Sequence, residues 1–179
     1  MLQWDERLVD KMKQGEQETF KQCYQQLSAT IYTAIIKICK NRDTANDLLQ
    51  DTFVDAFKSI DTFNQTSSFI AWLKRIAFNN TFNFIKKDKR LIIISEYPDA
   101  SECLSANLAV EFENRNLLLH LFNHLSAIEC LIMWLYIVEQ YTHVEIAKLV
   151  NKTPSYSKTI VARCLKKLRA KQELKKYAY

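Results

Sequence analysis

With 179 residues, 48% hydrophobic and 25% charged, and with one glycine and two prolines, the chain carries three Gly plus Pro where ordinary usage would supply about twenty. Glycine provides the positive φ of hairpin turns and the close backbone approach that phosphate loops need, so a lone Gly15 excludes a P-loop, a dinucleotide fingerprint, a nucleophile elbow and an EF-hand loop. The net charge of +5 is unevenly placed: residues 151–179 hold nine Lys/Arg against Glu173, residues 74–90 hold six against Asp88, and the remainder sums to −8. Two basic stretches divided by an acidic one suit two polyanion contacts; two solvated lysine-rich helix faces fit the charge equally well.

Scarce helix breakers and plentiful Leu, Ala, Lys, Gln and Glu predict an all-α chain of one domain or two small ones. Five scattered cysteines, Cys23, Cys39, Cys103, Cys130 and Cys164, never spaced CxxC, suit reduced thiols better than a disulfide framework or a zinc site. The longest apolar run, Cys130 to Val138, is about half a membrane span. Met1 to Arg7 includes Asp5 and Glu6 and lacks a signal-peptide apolar core. A cytoplasmic protein without membrane insertion is expected.

Helix signals follow in order. Trp4 to Gln14 reads as a short helix closed by Gly15 in a left-handed cap. Glu16 to Asn41 places Phe20, Tyr24, Leu27, Ile31, Ile35 and Ile38 on one stripe. Thr44-x-x-Asp47 resembles a capping box and opens a third helix to about Ile60, with Leu49, Phe53, Ala56 or Phe57, and Ile60 inward. A polar turn, Asp61 to Ser67, leads to a fourth helix from Ser68 to about Arg90, with Phe69, Trp72, Leu73, Ile76, Phe82 and Ile85 apolar. Leu91 to Cys103 breaks the pattern with Pro98, acids and serine, and reads as a linker. A helix near Leu104 to Asn123 follows. Ser126-x-x-Glu129 and Thr142-x-x-Glu145 are capping boxes before helices reaching Glu139 and Val150. Thr153 as N-cap and Pro154 at the first helical position start a final helix to about Lys176, with Ile160, Val161, Cys164, Leu165 and Leu168 inward.

Two short helices joined by a tight turn, the second rich in Lys and Arg, make a helix-turn-helix whose second helix suits the DNA major groove. Asn151 takes the turn position that favours left-handed geometry. Ser155, Tyr156, Lys158, Thr159, Ala162, Arg163, Lys166 and Lys167 face outward as base-edge readers and phosphate contacts. A protein-binding helical hairpin would share these features.

The string DLLQDTFVDAFKSIDTFNQTSSFIAWLKRIAFNNTFNFIKKDKR, Asp47 to Arg90, resembles region 2 of the extracytoplasmic-function, or group 4, sigma factors of the sigma-70 family of bacterial RNA polymerase. It carries an acidic-L-x-Q-acidic-x-F helix, a loop ending in Ser-Phe-x-x-Trp-Leu, then Arg-Ile-Ala-x-Asn and basic residues. Lys11 to Tyr24 resembles that family's opening. The string LSAIECLIMWLYIVEQYTHVEIAKLVNKTPSYSKTIVARCLKKLR, Leu125 to Arg169, resembles region 4, although Asn151 to Ile160 departs from the family's Gly-Ile-Ser-Val-Gly-Thr-Val-Lys-Ser-Arg.

The resemblance implies a region 2 domain over 1–90, an acidic linker over 91–103 passing through the RNA exit path, and a region 4 domain over 104–179. It implies that Asp47, Gln50 and Asp51 bind the clamp coiled coil of core polymerase. Phe63, Asn64, Ser67, Lys74, Arg75, Asn79, Asn83, Lys86, Lys87 and Arg90 would meet the promoter minus-10 element, with the loop 63–68 receiving a flipped base and Phe63 stacking on it. For Phe63, Phe69 and Trp72, a place in the core is the alternative. The eight outward residues of the last helix would read the minus-35 element. Partners would be core polymerase, through clamp and flap, and promoter DNA, and family members are commonly inhibited by an anti-sigma factor.

No cofactor, metal or catalytic site is expected. His120 and His124 are four apart, but Leu121 stands where a metalloprotease helix has its Glu. Two rival classes remain, a helix-turn-helix regulator acting without polymerase and a helical adaptor binding only proteins. A simple regulator needs neither the acidic third helix nor the aromatic loop.

Overall fold

A computed structural model describes residues 7–64, 66–88 and 122–176, with side chains of the last helix described as far as Lys167. The expected linker, most of the helix over 104–123, Arg90, Cys103 and His120 lie outside the described residues. Every regular element among the described residues is helical. The chain divides into two compact units, Met1–Phe84 and Ile85–Tyr179.

In the first unit, α1 (Arg7–Lys13) buries Val9 and Met12. It closes where Gly15 takes φ 81 and the Glu16 N–H reaches back to the Lys11 carbonyl at 3.1 Å, the six-to-one bond of a glycine-type C-cap. Helix α2 (Gln17–Cys39) buries Leu27, Ile31, Ala34, Ile35 and Ile38. Tyr24 departs from the expected buried stripe: it lies edge-on to Phe53 yet keeps 41% of its surface exposed, because its hydroxyl favours water at the edge of the core. Lys40, at φ 57, supplies the left-handed cap.

Helix α3 (Arg42–Lys58) starts earlier than the Thr44 reading expects. Asn41 is the N-cap, its side-chain oxygen accepting the Thr44 N–H at 2.9 Å. Asn is as good a cap as Ser and outranks Thr. A 3₁₀ turn over Ile60–Thr62 follows. Helix α4 (Phe69–Lys87) begins after Ser68, whose hydroxyl accepts the Ala71 N–H at 3.3 Å. Spacings of three and four bring Phe69, Leu73, Ala77, Phe78, Thr81 and Ile85 to a buried face. One cluster joins Val9 and Met12, Cys23, Leu27, Ile31, Ile35 and Cys39 of α2, Leu48, Leu49, Phe53 and Ala56 of α3, Ile60, Phe63, and Phe69, Leu73 and Ala77. Each such large side chain contributes about 1.5–3 kcal/mol on burial.

In the second unit, α5 (Ala127–Ile137) buries Cys130, Leu131, Ile132, Met133 and Leu135; a short helix apolar almost all round belongs in a core. It packs with α6 (His143–Leu149) and α7 (Pro154–Lys176). Both capping boxes form in full, Ser126 with Glu129 and Thr142 with Glu145. Between α6 and α7, Asn151 sits at φ 50, and the Lys152 N–H bonds to the Ala147 carbonyl at 3.0 Å. The Thr153 hydroxyl accepts the Tyr156 N–H at 3.3 Å, and Pro154 opens α7. That is a helix-turn-helix with Asn in the usual glycine position.

Candidate nucleic-acid interface

Spacings of three and four set Asp47, Gln50 and Asp51 on one solvent-exposed face of α3. Val54 continues that face with 47% exposure, an apolar spot absent from the sequence-based set. One turn further on, Asp55 Oδ2 accepts a 2.8 Å hydrogen bond from Asn80 Nδ2 on α4, tying the acidic helix to the basic one.

The loop between α3 and α4 has a dry base and a polar tip. Phe63 is 2% exposed. Its ring meets Phe69 nearly perpendicularly at 5.6 Å and Trp72 at 5.4 Å, and Phe69 and Trp72 lie 5.5 Å apart. The expectation of Phe63 as an open stacking platform is therefore corrected: desolvating a whole phenyl ring against two partners outweighs leaving it in water. Asn64, Thr66, Ser67 and Ser68 are exposed, and Asn64 Oδ1 accepts both the Thr66 hydroxyl, at 2.7 Å, and the Thr66 N–H, at 3.3 Å. The tip thus offers amide and hydroxyl groups rather than a ring.

Along α4, Arg75, Asn79, Asn83 and Lys86 form a single exposed stripe at spacings of four, four and three, with Lys87 exposed beside it and Lys74 half-buried. Cations at the ends and amides between them match phosphates flanking bases. Arg90 lies outside the described residues.

On α7, Ser155, Lys158, Thr159, Ala162 and Lys166 are exposed, and Tyr156 is half-buried with the Lys152 ammonium 6.0 Å from its ring centre. Arg163 and Lys167 behave differently from the other outward residues. Glu129 of α5 is 1% exposed, and its Oε1 accepts Arg163 at 3.0 Å and Lys167 at 2.9 Å while Oε2 accepts the Ser126 N–H and hydroxyl. Burial pushes the Glu129 carboxyl up, but the bonds from Lys167 and Ser126 outweigh it and hold the group below its ordinary 4.5. Both cations are thus paired with this carboxylate, while the Arg163 side chain keeps 52% of its surface exposed. The sequence offered one clue: residues 163 and 167 are one helical turn apart and flank the inward Cys164.

Ser157 and His143 were also missed by the sequence reading. Ser157 is fully buried, its hydroxyl 3.0 Å from His143 Nδ1, and the His143 ring stacks on Tyr136 at 4.8 Å. Burial raises the thiols of Cys23, to about 12, and Cys164, to about 11, which removes their nucleophilic form at neutral pH. Among the described residues no cluster of His, Cys, Asp and Glu could hold a metal ion, and no helix is long and apolar enough to cross a membrane.

Residues 23–91 match the family model of Sigma-70 region 2. The ECF RNA polymerase sigma-E factor of Haemophilus influenzae is 32% identical over 89 residues, 48% of this chain and 45% of that protein. The ECF RNA polymerase sigma factor BldN of Streptomyces coelicolor is 37% identical over 98 residues, 53% of this chain and 37% of that protein. The chain thus spans less than half the length of these curated relatives. Among solved structures, CnrH in complex with the cytosolic domain of CnrY has a TM-score of 0.56 at 20% identity, covering 93% of this chain and 96% of that one. The sigma factor RpoE, in complex with the anti-sigma factor NepR from Bartonella quintana, scores 0.54 at 23% identity, covering 89% and 98%. At such identities the two structures speak to the fold.

Proposed function

We propose that the chain, whose residues 23–91 match the Sigma-70 region 2 model, is an extracytoplasmic-function member of the sigma-70 family: a promoter-specificity subunit that binds core RNA polymerase, recognises minus-10 and minus-35 elements and assists melting. The observation that carries the reading is the α4 stripe of Arg75, Asn79, Asn83 and Lys86 beside the polar-tipped loop. The matched region spans the acidic face of α3, which a basic partner helix of the clamp would complement.

In this reading Asp47, Gln50 and Asp51 dock the core enzyme, and Arg75, Lys86 and Lys87 neutralise phosphates at the opening duplex, with Lys74 at their edge. Asn79 and Asn83 meet exposed bases. A flipped nontemplate base is held by hydrogen bonds from Asn64, Thr66 and Ser67, with Phe63 as the floor below. Hydrogen bonding to the Watson–Crick edge makes the pocket selective, and the few kcal/mol that flipping costs are offset across several contacts. In the second unit, Ser155, Lys158, Thr159 and Ala162 enter the major groove at the minus-35 element, Lys166 and Tyr156 adjoin the backbone, and the flap is the polymerase partner. The proposed boundaries are a region 2 domain over 1–90, a linker over 91–103 and a region 4 domain over 104–179. An anti-sigma factor is the fitting inhibitor, by analogy with RpoE and its NepR complex.

Reconstituted transcription tests the proposal. Addition of this chain to core polymerase should produce initiation at a defined promoter set. DNA binding without any gain in initiation would instead support a regulator acting apart from polymerase, and binding to polymerase without DNA an adaptor.

A further inference from the structure

The minus-10 loop is anchored by a residue fifty positions earlier in the chain. Lys13, the last residue of α1, donates its ammonium to the Phe63 carbonyl at 2.7 Å in a partly buried setting. Val9 and Met12 fix α1 in the core on the preceding turns, so the ammonium extends from a seated helix. The Phe63 N–H is already bonded to the Ile60 carbonyl at 3.1 Å, and the ring is wedged against Phe69 and Trp72. What those contacts leave undetermined is rotation about ψ of Phe63. Because the peptide unit is planar, the direction of that carbonyl dictates the direction in which the Asn64 N–H and the chain beyond it depart. A charge-assisted bond to the carbonyl is stronger than a neutral one, and it sets that last dihedral.

We propose that Lys13 is a positioning residue for promoter melting: through the Phe63 carbonyl it holds the Asn64, Thr66 and Ser67 groups in the geometry that accepts a flipped base. This rests on the reading of the loop given above. Lys13 thus ties α1, an element with no assigned DNA contact, to the backbone of the base pocket. A pocket misplaced by a fraction of an ångström loses much of its oriented binding, so the effect belongs to opening and base choice and not to docking on the core enzyme.

The test compares full-length wild type, Lys13→Met and Lys13→Arg with core polymerase. Methionine keeps an unbranched apolar stem and removes the donor; arginine keeps a charged donor. Lys13→Met should open a promoter about tenfold more slowly, as expected for loss of a charged hydrogen bond of roughly 1.4 kcal/mol, with a fluorescent base at the flipped position reporting the defect. It should also lose preference among single-stranded minus-10 oligonucleotides while core affinity stays within about twofold. Lys13→Arg should recover most of the rate. Hydrogen exchange over 63–68 should accelerate in Lys13→Met with α3 unchanged. Unaltered opening and base preference overturn the proposal, as does a lowered salt dependence of DNA binding, which would make Lys13 a phosphate contact. Collapse of the first unit's melting transition also overturns it by making Lys13 a fold residue. If the wild type itself neither binds core nor initiates, the functional reading falls instead.

Discussion

In the first unit the exposed loop rises from a floor of three aromatic rings, Phe63, Phe69 and Trp72, with a lysine closing the backbone. In the second, helix α7 is held on α5 by a buried carboxylate gripping Arg163 and Lys167. The ring floor is dispersion and desolvation, indifferent to salt and pH. The other support is an ion cluster whose strength depends on every member staying charged. The difference teaches that outwardly similar surfaces, each polar and basic, rest on supports that fail under different conditions.

The largest effects attack these two supports. Phe63→Ala should cost the first unit about 3–5 kcal/mol, the usual loss for a buried phenyl ring, equally at pH 7 and pH 4.5. The double variant Arg163→Ala/Lys167→Ala leaves the buried Glu129 without a counter-charge and with only the Ser126 hydrogen bonds, and should cost the second unit about 3 kcal/mol at neutral pH, part of which returns in acid as the carboxyl takes a proton. Denaturant melts at both pH values check the pair. In the wild type, Glu129 has a folded pKa below its ordinary 4.5; its contribution is therefore present above that value and lost as pH falls through the folded one. A second unit whose stability is flat between pH 6 and pH 3 would break the comparison.

Charge reversal on α3 sharpens it from the surface side. Asp51→Arg or Asp47→Lys should weaken core binding by at least about tenfold, roughly 1.4 kcal/mol, by setting like charges against a basic partner. Both residues are exposed, so helicity and melting should not change. A titration of labelled protein with core polymerase measures it, and undiminished affinity would remove α3 as the docking face.

Much of this was legible because helical periodicity and capping are local. The two capping boxes, Pro154 at the start of α7 and the left-handed Asn151 all follow from neighbours within a few positions. What escaped was non-local. Glu129 meets Arg163 and Lys167 across more than thirty residues, and Lys13 meets Phe63 across fifty; no periodicity encodes such pairs. Phe63 was ambiguous for another reason. An aromatic residue in a polar loop suits a core or a stacking platform, and only the convergence of Phe69 and Trp72 decides between them. Asn41 won over Thr44 because two good caps three residues apart compete for one helix start.

The pairing of Arg163 changes what mutations in α7 should do. Recognition helices contact base edges with their N-terminal residues, which in the proposed reading of α7 are Ser155, Lys158 and Thr159. Lys158→Ala should cost about 1–3 kcal/mol with relaxed preference at a single base pair. Arg163→Ala leaves Lys167 to satisfy Glu129 and should lower affinity by at most about 1 kcal/mol, evenly across promoter variants. Affinities on a panel of minus-35 substitutions separate the two. A loss for Arg163→Ala confined to one base pair would mean that DNA draws the guanidinium off the carboxylate.

The smallest effects concern left-handed positions, filled in the first unit by a glycine and by Lys40 at φ 57 and in the second by Gln140 and Asn151. The first spends the chain's one glycine at Gly15, φ 81, where an added Cβ would meet nothing within 4 Å. Gly15→Ala is thus free of clash and still strained, and should destabilise the first unit by about 1 kcal/mol. The second unit has Gln140 at φ 58 and Asn151 at φ 50. Gln140→Gly should stabilise by up to about 1 kcal/mol, the relief of αL strain less the entropy that glycine adds to the unfolded chain. Asn151→Gly should gain less than about 0.5 kcal/mol, since asparagine already tolerates this region. Denaturation midpoints order the three variants, and a gain at Asn151 equal to that at Gln140 would show that the turn between α6 and α7 is strained by more than its backbone dihedral.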